Sequence, residues 1–330
     1  MPGRKKQNKT RWIVTLLVGL VAAFGVLSTL QENYGRDFGL PQPNLPSITA
    51  LVGPGAGSPT RREPPPVTPQ ESAPAESAVS VHFIDVGQGE SILILAPEKT
   101  VLIDGGDNGR GGTVLSYLSE QNVSSIDILI ATHPHADHIG GLIDVVNRLP
   151  VSEVIMPEVP DEIVPTTRTY TNFLMALLEN GLTITPAAAG DVRDLGGGAT
   201  LTILGPMRDY SAMNDMSVVS RLEFGATSFL FTGDIETAAE HDLAAQGGIR
   251  SNVLNIAHHG SRSSSTQVFL NAVAPNIAVI SCGMDNSFGH PHRTVMERLQ
   301  AMDIHILRTD LDGSIVLVSD GESIGILTER

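Results

Sequence analysis

Cysteine is nearly missing from this chain, since Cys282 is the one thiol among 330 residues. A single thiol cannot form an internal disulfide, so the fold has no disulfide framework. Cys282 sits in the apolar run IAVISCG, which predicts a buried strand residue. Aromatic residues are also scarce, at 4% of the chain, which argues against a long surface of stacked bases.

Sequence signatures of organic cofactors are missing as well. The sequence contains no Gly-rich dinucleotide turn and no phosphate-binding P-loop. The 330 residues are enough for one large domain or two ordinary ones, and a hydrophobic content of 41% allows a sizeable core. No short repeat is evident, but VLIDGG and FLFTGD both end an apolar strand with Asp beside Gly. This weak similarity suggests two related halves.

Positive charge is scarce in most of the chain, whose formal net charge is −15. Residues 1–78 carry eight Lys/Arg and five Asp/Glu, whereas residues 79–330 carry thirteen Lys/Arg and thirty-one Asp/Glu. Binding to duplex nucleic acid depends on Lys and Arg side chains that neutralise phosphates. The acidic part of the chain therefore argues against an extensive nucleic-acid groove.

The N-terminus, by contrast, is basic. Residues 1–11 carry five Lys/Arg, and the nineteen residues from 12 to 30 carry no charge. As a helix they would span about 28 Å, close to the hydrocarbon thickness of a bilayer. We expect a transmembrane anchor with its basic end in the cytoplasm and the rest of the chain outside the cell membrane. A cleaved signal peptide, which would give a secreted domain, is the alternative.

Residues 31–78 are predicted to be a Pro-rich, disordered linker. Ten prolines fall in residues 40–78, with Gly, Ser and Ala between them. Such a stretch cannot bury enough apolar surface to offset the entropy lost on ordering. We expect a semi-rigid spacer that holds the following domain away from the membrane.

Residues 79–330 alternate apolar strand patterns with helical ones, which predicts a single α/β domain. Helices are predicted over residues 114–121, 139–147, 170–179, 235–245, 266–272 and 292–302. Strands are predicted at VSVHFIDVG, ESILILA, VLIDGG, IDILIATH, VSEVIMP, TLTILGP, SVVSRLEF, TSFLFTGD, VLNIAHHG, IAVISCG, HILRT, GSIVLVS and SIGILT.

The most informative segment is THPHADHIGG, residues 132–141, directly after the apolar run IDILIA. It places three histidines and one aspartate within six positions: His133, His135, Asp137 and His138. Imidazole and carboxylate are the ligands of zinc, manganese and iron sites. A strand that stops at such a cluster can direct several ligands to one point, so the segment predicts a metal site.

Further candidate ligands also follow predicted strands. Asp104 ends VLIDGG, Asp234 ends FLFTGD, and His258 and His259 follow VLNIA in the sequence HHGS. If these strands are neighbours, their ends converge at one sheet edge. Asp104 could instead be a turn-forming residue ahead of two glycines.

With these motifs in view, the chain resembles the metallo-β-lactamase superfamily, whose His-x-His-x-Asp-His motif is matched by residues 133–138. More narrowly, it resembles the hydrolase domain of ComEC-like competence proteins. The similarity extends over nearly all of residues 79–330. The segments that carry it are HFIDVGQGES, VLIDGG, THPHADHIGG, NDMSVVSRLEFGATSFLFTGD, HHGS and GHPH.

The resemblance implies a four-layer αββα sandwich with one or two divalent metal ions, zinc or manganese, at the sheet edge. It implies that His133 and His135 hold one metal and that Asp137 and His138 hold the second. It also implies that the carboxylate of Asp234 bridges the two metals.

Two further assignments also come from the resemblance. A histidine of the HHGS motif completes the second metal site, and we favour His258 over the alternative, His259. Asp104 becomes a residue that orients the metal-binding loop without binding the metal.

The chain departs from the superfamily pattern in three places. No histidine lies between residues 138 and 241, where the superfamily commonly has a further ligand. Asn214 and Ser217 occupy that region, as in ComEC-like relatives, so the first metal site is expected to be weaker or completed by water. Position 135 is often Asp in those relatives, and Glu90 stands where they have Asp. With one apolar segment, the chain is not expected to form a DNA channel.

Two divalent ions can lower the pKa of a shared water until hydroxide exists near neutral pH. Asp137 could both ligate a metal and orient that hydroxide. His259, His290 or His292 could stabilise an oxyanion or protonate the leaving group. The GHPH segment at 289–292 could instead be a turn and a cap before the next helix.

The leading hypothesis is a membrane-anchored, outward-facing metal-dependent hydrolase that uses metal-bound hydroxide. Its expected substrates are small or polymeric phosphodiesters, in nucleic acid or in a wall polymer, and DNA is a candidate partner. One alternative is a hydrolase of carboxylic esters, lactones or β-lactams. The other is a surface module of the same fold without catalysis.

Overall fold

The computed structural model describes residues 78–330. The predicted basic tail (1–11), the predicted anchor (12–30) and all but the last residue of the predicted linker (31–78) lie outside the described residues. Within residues 78–330, no helix is both long and apolar enough to cross a bilayer.

The described strands form two sheets. The first sheet contains β1 (Val79–Phe83), β2 (Ile92–Leu95), β3 (Thr100–Ile103), β4 (Ile126–Ile130), β5 (Val151–Met156), β6 (Ile184–Pro186), β14 (Ile315–Ser319) and β15 (Ile324–Thr328). The second sheet contains β7 (Val192–Gly196), β8 (Ala199–Gly205), β9 (Val219–Phe224), β10 (Thr227–Phe231), β11 (Val253–Asn255), β12 (Ile277–Ile280) and β13 (His305–Arg308). Their strand orders are β15-β14-β1-β2-β3-β4-β5-β6 and β13-β12-β11-β10-β9-β8-β7.

Helices connect these strands. They are α1 (Gly111–Glu120), α2 (Ala136–Ile139), α3 (Leu142–Arg148), α4 (Arg168–Glu179), α5 (Thr237–Gln246), α6 (Gln267–Val273), α7 (Arg293–Ala301) and α8 (Thr309–Asp312). Single turns of 3₁₀ helix lie at Asp161–Ile163, Asn214–Met216 and Ala257–Gly260.

Three buried apolar clusters separate four layers. The central cluster lies between the two sheets and includes Val81 and Phe83 of β1 and Phe229 of β10. A second cluster packs the first sheet against α1, α3 and α4, and a third packs the second sheet against α5, α6 and α7. Alternate residues of each strand face either the central cluster or the helices, as the two-residue period of a strand requires. The result is the expected α/β sandwich of two sheets.

Parallel pairing places the functional segments at one edge of the sandwich. β3 pairs in parallel with β4 in the first sheet, and β10 pairs in parallel with β11 in the second. The carboxyl ends of parallel neighbours lie at the same edge of their sheet, so the loops after these four strands can meet.

The predicted helix over residues 139–147 is interrupted by two glycines. The chain forms α2, breaks at Gly140 and Gly141, and continues as α3. A Cβ at Gly141 would clash with the carbonyl oxygen of Gly105. These two glycines therefore allow the metal-motif loop to pack closely on the loop after β3.

Two edge strands, β6 and β7, were not predicted from the sequence. β6 has only three residues, and β7 reads VRDLG with three partly or fully exposed positions. Edge strands are short and polar because one side faces solvent, so their periodicity is weak.

Candidate metal centre

The loops after β3, β4, β10 and β11 meet at the predicted edge, between the two sheets. His138, after β4, has its Nε2 3.2 Å from Oδ1 of Asp234, after β10. His133 Nε2 lies 3.7 Å from Oδ2 of the same carboxylate. Residues 96 and 101 positions before Asp234 in the sequence thus lie within 4 Å of its carboxylate.

The candidate ligands form two groups on either side of this carboxylate. In the first ligand group, His133, His135 and Asp234 present atoms that all lie within 4.8 Å of one another. The second ligand group consists of Asp137, His138 and His259 under the same criterion. Because Oδ2 of Asp234 faces the first group and Oδ1 faces the second, this carboxylate is placed to bridge two cations.

The chemistry of the second group fits a cation. His138 Nε2, His259 Nε2 and Asp234 Oδ1 are buried, and none of them has a hydrogen-bond partner. Leaving buried polar atoms unpaired costs about 1–3 kcal/mol each, so such a set indicates a ligand. Two imidazole nitrogens and carboxylate oxygens are a donor set for zinc or manganese.

The electrostatics of the buried groups lead to the same conclusion. Burial opposes ionisation of Asp234, but His138 and His259 outweigh it and hold the pKa of the carboxyl well below its usual range. Burial likewise opposes the charged form of His138, but Asp234 and Asp104 raise its pKa well above the usual value. The carboxylates therefore favour a positive charge between them. A divalent cation supplies this charge and leaves the histidines unprotonated.

Residues behind the ligands fix their orientation. Asp104 Oδ2 accepts a hydrogen bond from His138 Nδ1 at 2.7 Å, and its two oxygens also accept from the amide and hydroxyl of Thr132. His259 Nδ1 is 2.9 Å from the carbonyl oxygen of Ser281 and donates to it. In both histidines the second ring nitrogen is held, so that Nε2 faces the ligand group. This is the usual arrangement for metal-binding histidine.

Comparison with known proteins agrees with this geometry. Residues 84–284 match the family described as "Metallo-beta-lactamase superfamily". The chain belongs to this superfamily. Its relatives include the ComE operon protein 3 of Bacillus subtilis, 32% identical over 71% of this chain and 32% of that protein. Others are the competence protein ComA of Neisseria gonorrhoeae (31%, over 76% of this chain and 33% of that one) and the recombination protein 2 of Haemophilus influenzae (32%, over 71% and 28%).

These relatives are ComEC-like competence proteins, and the chain spans about a third of their length. The sequence-based recognition of the superfamily and of its ComEC-like branch is confirmed. The chain has the superfamily's hydrolase fold, and its ligand groups imply a divalent metal.

The structure changes one preference within the HHGS motif. His259 is 2% exposed, and its Nε2 lies 3.3 Å from Asp137 Oδ2 in the second ligand group. His258, which the sequence reasoning favoured for this site, lies on the other side of the bridge, with Nε2 3.7 Å from Asp234 Oδ2. His258 Nδ1 is 3.2 Å from Oε1 of Glu236. The geometry therefore places His259, and not the favoured His258, in the second ligand group.

Ser217 and Asn214 lie where the sequence lacks a middle histidine. Ser217 Oγ is 3.3 Å from His133 Nδ1 and accepts a hydrogen bond from the amide of Asp234 at 3.1 Å. Asn214 Nδ2 lies 3.3 Å from Glu236 and 3.4 Å from His258 Nδ1. Ser217 therefore supports the ligands His133 and Asp234 from behind, whereas Asn214 contacts side chains outside the ligand groups. The first group retains only two histidines and the shared carboxylate.

His290 lies beside the ligand groups, and the ring of His292 lies next to that of His290. The His290 ring centroid is 5.6 Å from that of His258 and 6.1 Å from that of His259. Burial, together with the neighbouring histidines, lowers the pKa of His290 to about 4. His292 Nδ1 accepts a hydrogen bond from the amide of Arg262, and His292 directly precedes α7 without a capping hydrogen bond from its side chain.

Three residues near the centre were not assigned a role from the sequence. Glu236 follows the bridging aspartate by two positions and holds His258. Asn255 donates from Nδ2 to Glu90 Oε2 at 2.8 Å, and burial raises the pKa of Glu90 to about 7. Glu90, Asp104 and His138 also present atoms within 4.8 Å of one another. The Asn255–Glu90 contact joins the end of β11 to the loop before β2, 165 positions apart in the sequence, so no local pattern predicts it.

Proposed function

We propose that this chain is a membrane-anchored, metal-dependent phosphodiesterase. The observation that carries the proposal is Asp234, whose two carboxylate oxygens each face a separate group of ligands. A pair of divalent cations, zinc or manganese, would supply an activated water and neutralise charge on a phosphoryl oxygen. The similarity to competence proteins supports a phosphodiester, with DNA as a candidate substrate.

The side chains around the ligand groups then have distinct tasks. Asp137 is half-buried, but the nearby imidazoles of His259 and His138 outweigh burial and lower the pKa of its carboxyl. It therefore stays ionised and can orient a nucleophilic water beside the ligands. His290 is neutral near pH 7 because of its low pKa, so it acts as a hydrogen-bond donor to the departing oxygen. His259, as a ligand, is no longer free to act as an acid.

Membrane anchoring through residues 12–30 is the second part of the proposal. The basic residues before the apolar segment support a cytoplasmic amino terminus and an outward-facing domain. Protease added to intact cells should digest residues 78–330. A protected domain would contradict this placement.

Activity on a substrate panel tests the reaction class. Purified chain with manganese or zinc should hydrolyse bis-p-nitrophenyl phosphate, and chelation should stop turnover. Asp137→Ala should reduce the rate on the order of 10²-fold or more, since it removes both a ligand and the group that orients the nucleophile. Hydrolysis of a lactone or of nitrocefin without phosphodiester cleavage would overturn the proposal in favour of the carbonyl hydrolase. Bound metal without any hydrolysis would favour the non-catalytic module.

A further inference from the structure

Phe288 is the most exposed aromatic side chain within residues 78–330. It is 61% exposed, whereas the other Phe and Tyr side chains of this part of the chain are buried or half-buried. Aromatic rings carry a large apolar surface that proteins normally bury. A ring left in water at the rim of a reactive centre therefore suggests a contact with the substrate.

The position of this ring relates it directly to the ligand groups. The Phe288 ring is stacked on that of His290, with centroids 5.6 Å apart and planes 19° from parallel. The ring of His290 also lies 5.6 Å from that of His258 and 6.1 Å from that of His259. Phe288 is thus separated from the candidate metal ligands by a single side chain, within reach of a group attached to a phosphate bound there.

The loop that carries Phe288 is held in place by hydrogen bonds. Asn286 Nδ2 donates to the carbonyl oxygens of Gly283 and His290 at 2.8 and 2.6 Å, and Asn286 Oδ1 accepts from the amide of His290 at 2.9 Å. The amide of Gly283 donates to Gln88 Oε1 at 3.2 Å. A ring on such a loop is already ordered, so stacking a ligand on it loses little conformational entropy.

We propose that Phe288 is a stacking platform for an unpaired nucleobase of the strand whose phosphodiester lies at the two ligand groups. This inference rests on the proposed phosphodiesterase function and selects among its substrates. Wall polymers built from glycerol or ribitol phosphate offer no planar ring, and bases inside a duplex have both faces covered. Stacking is sequence-tolerant because every base has a π-face, so little base preference is expected.

The charge of the domain agrees with a single stacking contact. Residues 79–330 carry thirteen Lys/Arg against thirty-one Asp/Glu, so a long electrostatic track for the backbone is missing. One base held beside the reacting phosphate needs no such track. The substrate is therefore a single strand or a strand end, contacted over very few nucleotides.

The test compares strands with and without bases. With the full-length chain and metal, kcat/KM is measured on a single-stranded oligonucleotide and on an abasic strand of equal length. Phe288→Ala should lower kcat/KM on the base-bearing strand about 10-fold, mainly through KM, a loss typical of one base–aromatic stack. Phe288→Trp should retain wild-type values. On the abasic strand, kcat/KM should be equal for wild type and Phe288→Ala.

Leu327→Ala is the matched control, since it also removes an exposed apolar side chain. Leu327 is 62% exposed on the edge strand β15.

A binding measurement separates this inference from the proposed function. Fluorescence anisotropy with a phosphorothioate strand, with and without bases, needs no turnover. Tighter binding of the base-bearing strand that is lost in Phe288→Ala supports the platform even if no phosphodiester is cleaved. Equal affinity for both strands, or unchanged affinity in Phe288→Ala, overturns it, and so does equal cleavage of a glycerol phosphate polymer.

Discussion

Asp234→Asn is expected to reduce phosphodiester turnover by at least about 10³-fold and to leave less than one cation per chain. Asn has the shape of Asp but no negative charge, so neither ligand group retains its shared anion. Stabilisation of transition-state charge by metal ions is worth several kcal/mol, and each 1.36 kcal/mol changes a rate tenfold. Steady-state kinetics and elemental analysis of the same preparation measure both effects.

Asp242→Asn is the control for this substitution. Asp242 lies on α5 and belongs to neither ligand group. Its partly exposed carboxylate accepts hydrogen bonds from Arg208 and Tyr210. The activity of this variant should stay within about twofold of wild type, because surface ion pairs contribute little to stability and Asp242 belongs to neither ligand group. An Asp234→Asn variant that kept two cations and normal turnover would rule out the bridging role.

His259→Ala and His258→Ala should differ in effect by about 10-fold or more. His259 completes the second ligand group beside Asp137, so its loss should remove one cation and lower turnover about 10²- to 10³-fold. His258 is more exposed and lies outside both ligand groups as defined by mutual distance. Its replacement should preserve two cations and lower turnover about 10-fold, the lower end of the effect of residues that support a metal site.

The two variants control for each other. Both histidines have left-handed backbone conformations, with φ of 53° for His258 and 55° for His259, so the backbone strain of an Ala substitution is common to both. Isothermal titration with manganese or zinc counts the remaining sites. If His258→Ala lost the second cation and His259→Ala kept it, the sequence-based preference for His258 would be reinstated.

The sequence was sufficient to predict the layers and the superfamily because the relevant signals are local. The motif at residues 133–138 lies within six positions, and each further ligand directly follows a buried strand. The strands themselves are apolar runs such as TSFLF of β10, whose five residues are all buried. Such runs identify central strands without any knowledge of their neighbours.

Features that depend on tertiary approach could not be predicted in the same way. The choice between His258 and His259 depends on a 3₁₀ turn with left-handed residues, which directs adjacent side chains to opposite sides of Asp234. The Asn255–Glu90 contact joins the two sheets. Phe288 gives no signal in the sequence, because its exposure follows from the path of a loop held by Asn286.

The two ligand groups differ in their number of protein ligands, because the chain has no middle histidine in the first group. The second group combines two imidazoles with the carboxylates of Asp137 and Asp234. The first group has two imidazoles and one carboxylate oxygen, with Ser217 in place of a further ligand. Cations with fewer protein ligands are held more weakly, so we expect the second group to fill first.

Anomalous scattering from crystals of the chain grown with manganese or zinc tests the two-cation centre most directly. We expect two peaks that share Asp234, one beside His133 and His135 and one beside Asp137, His138 and His259. Peaks that do not contact Asp234, or a saturated crystal without any peak at these residues, would contradict the account.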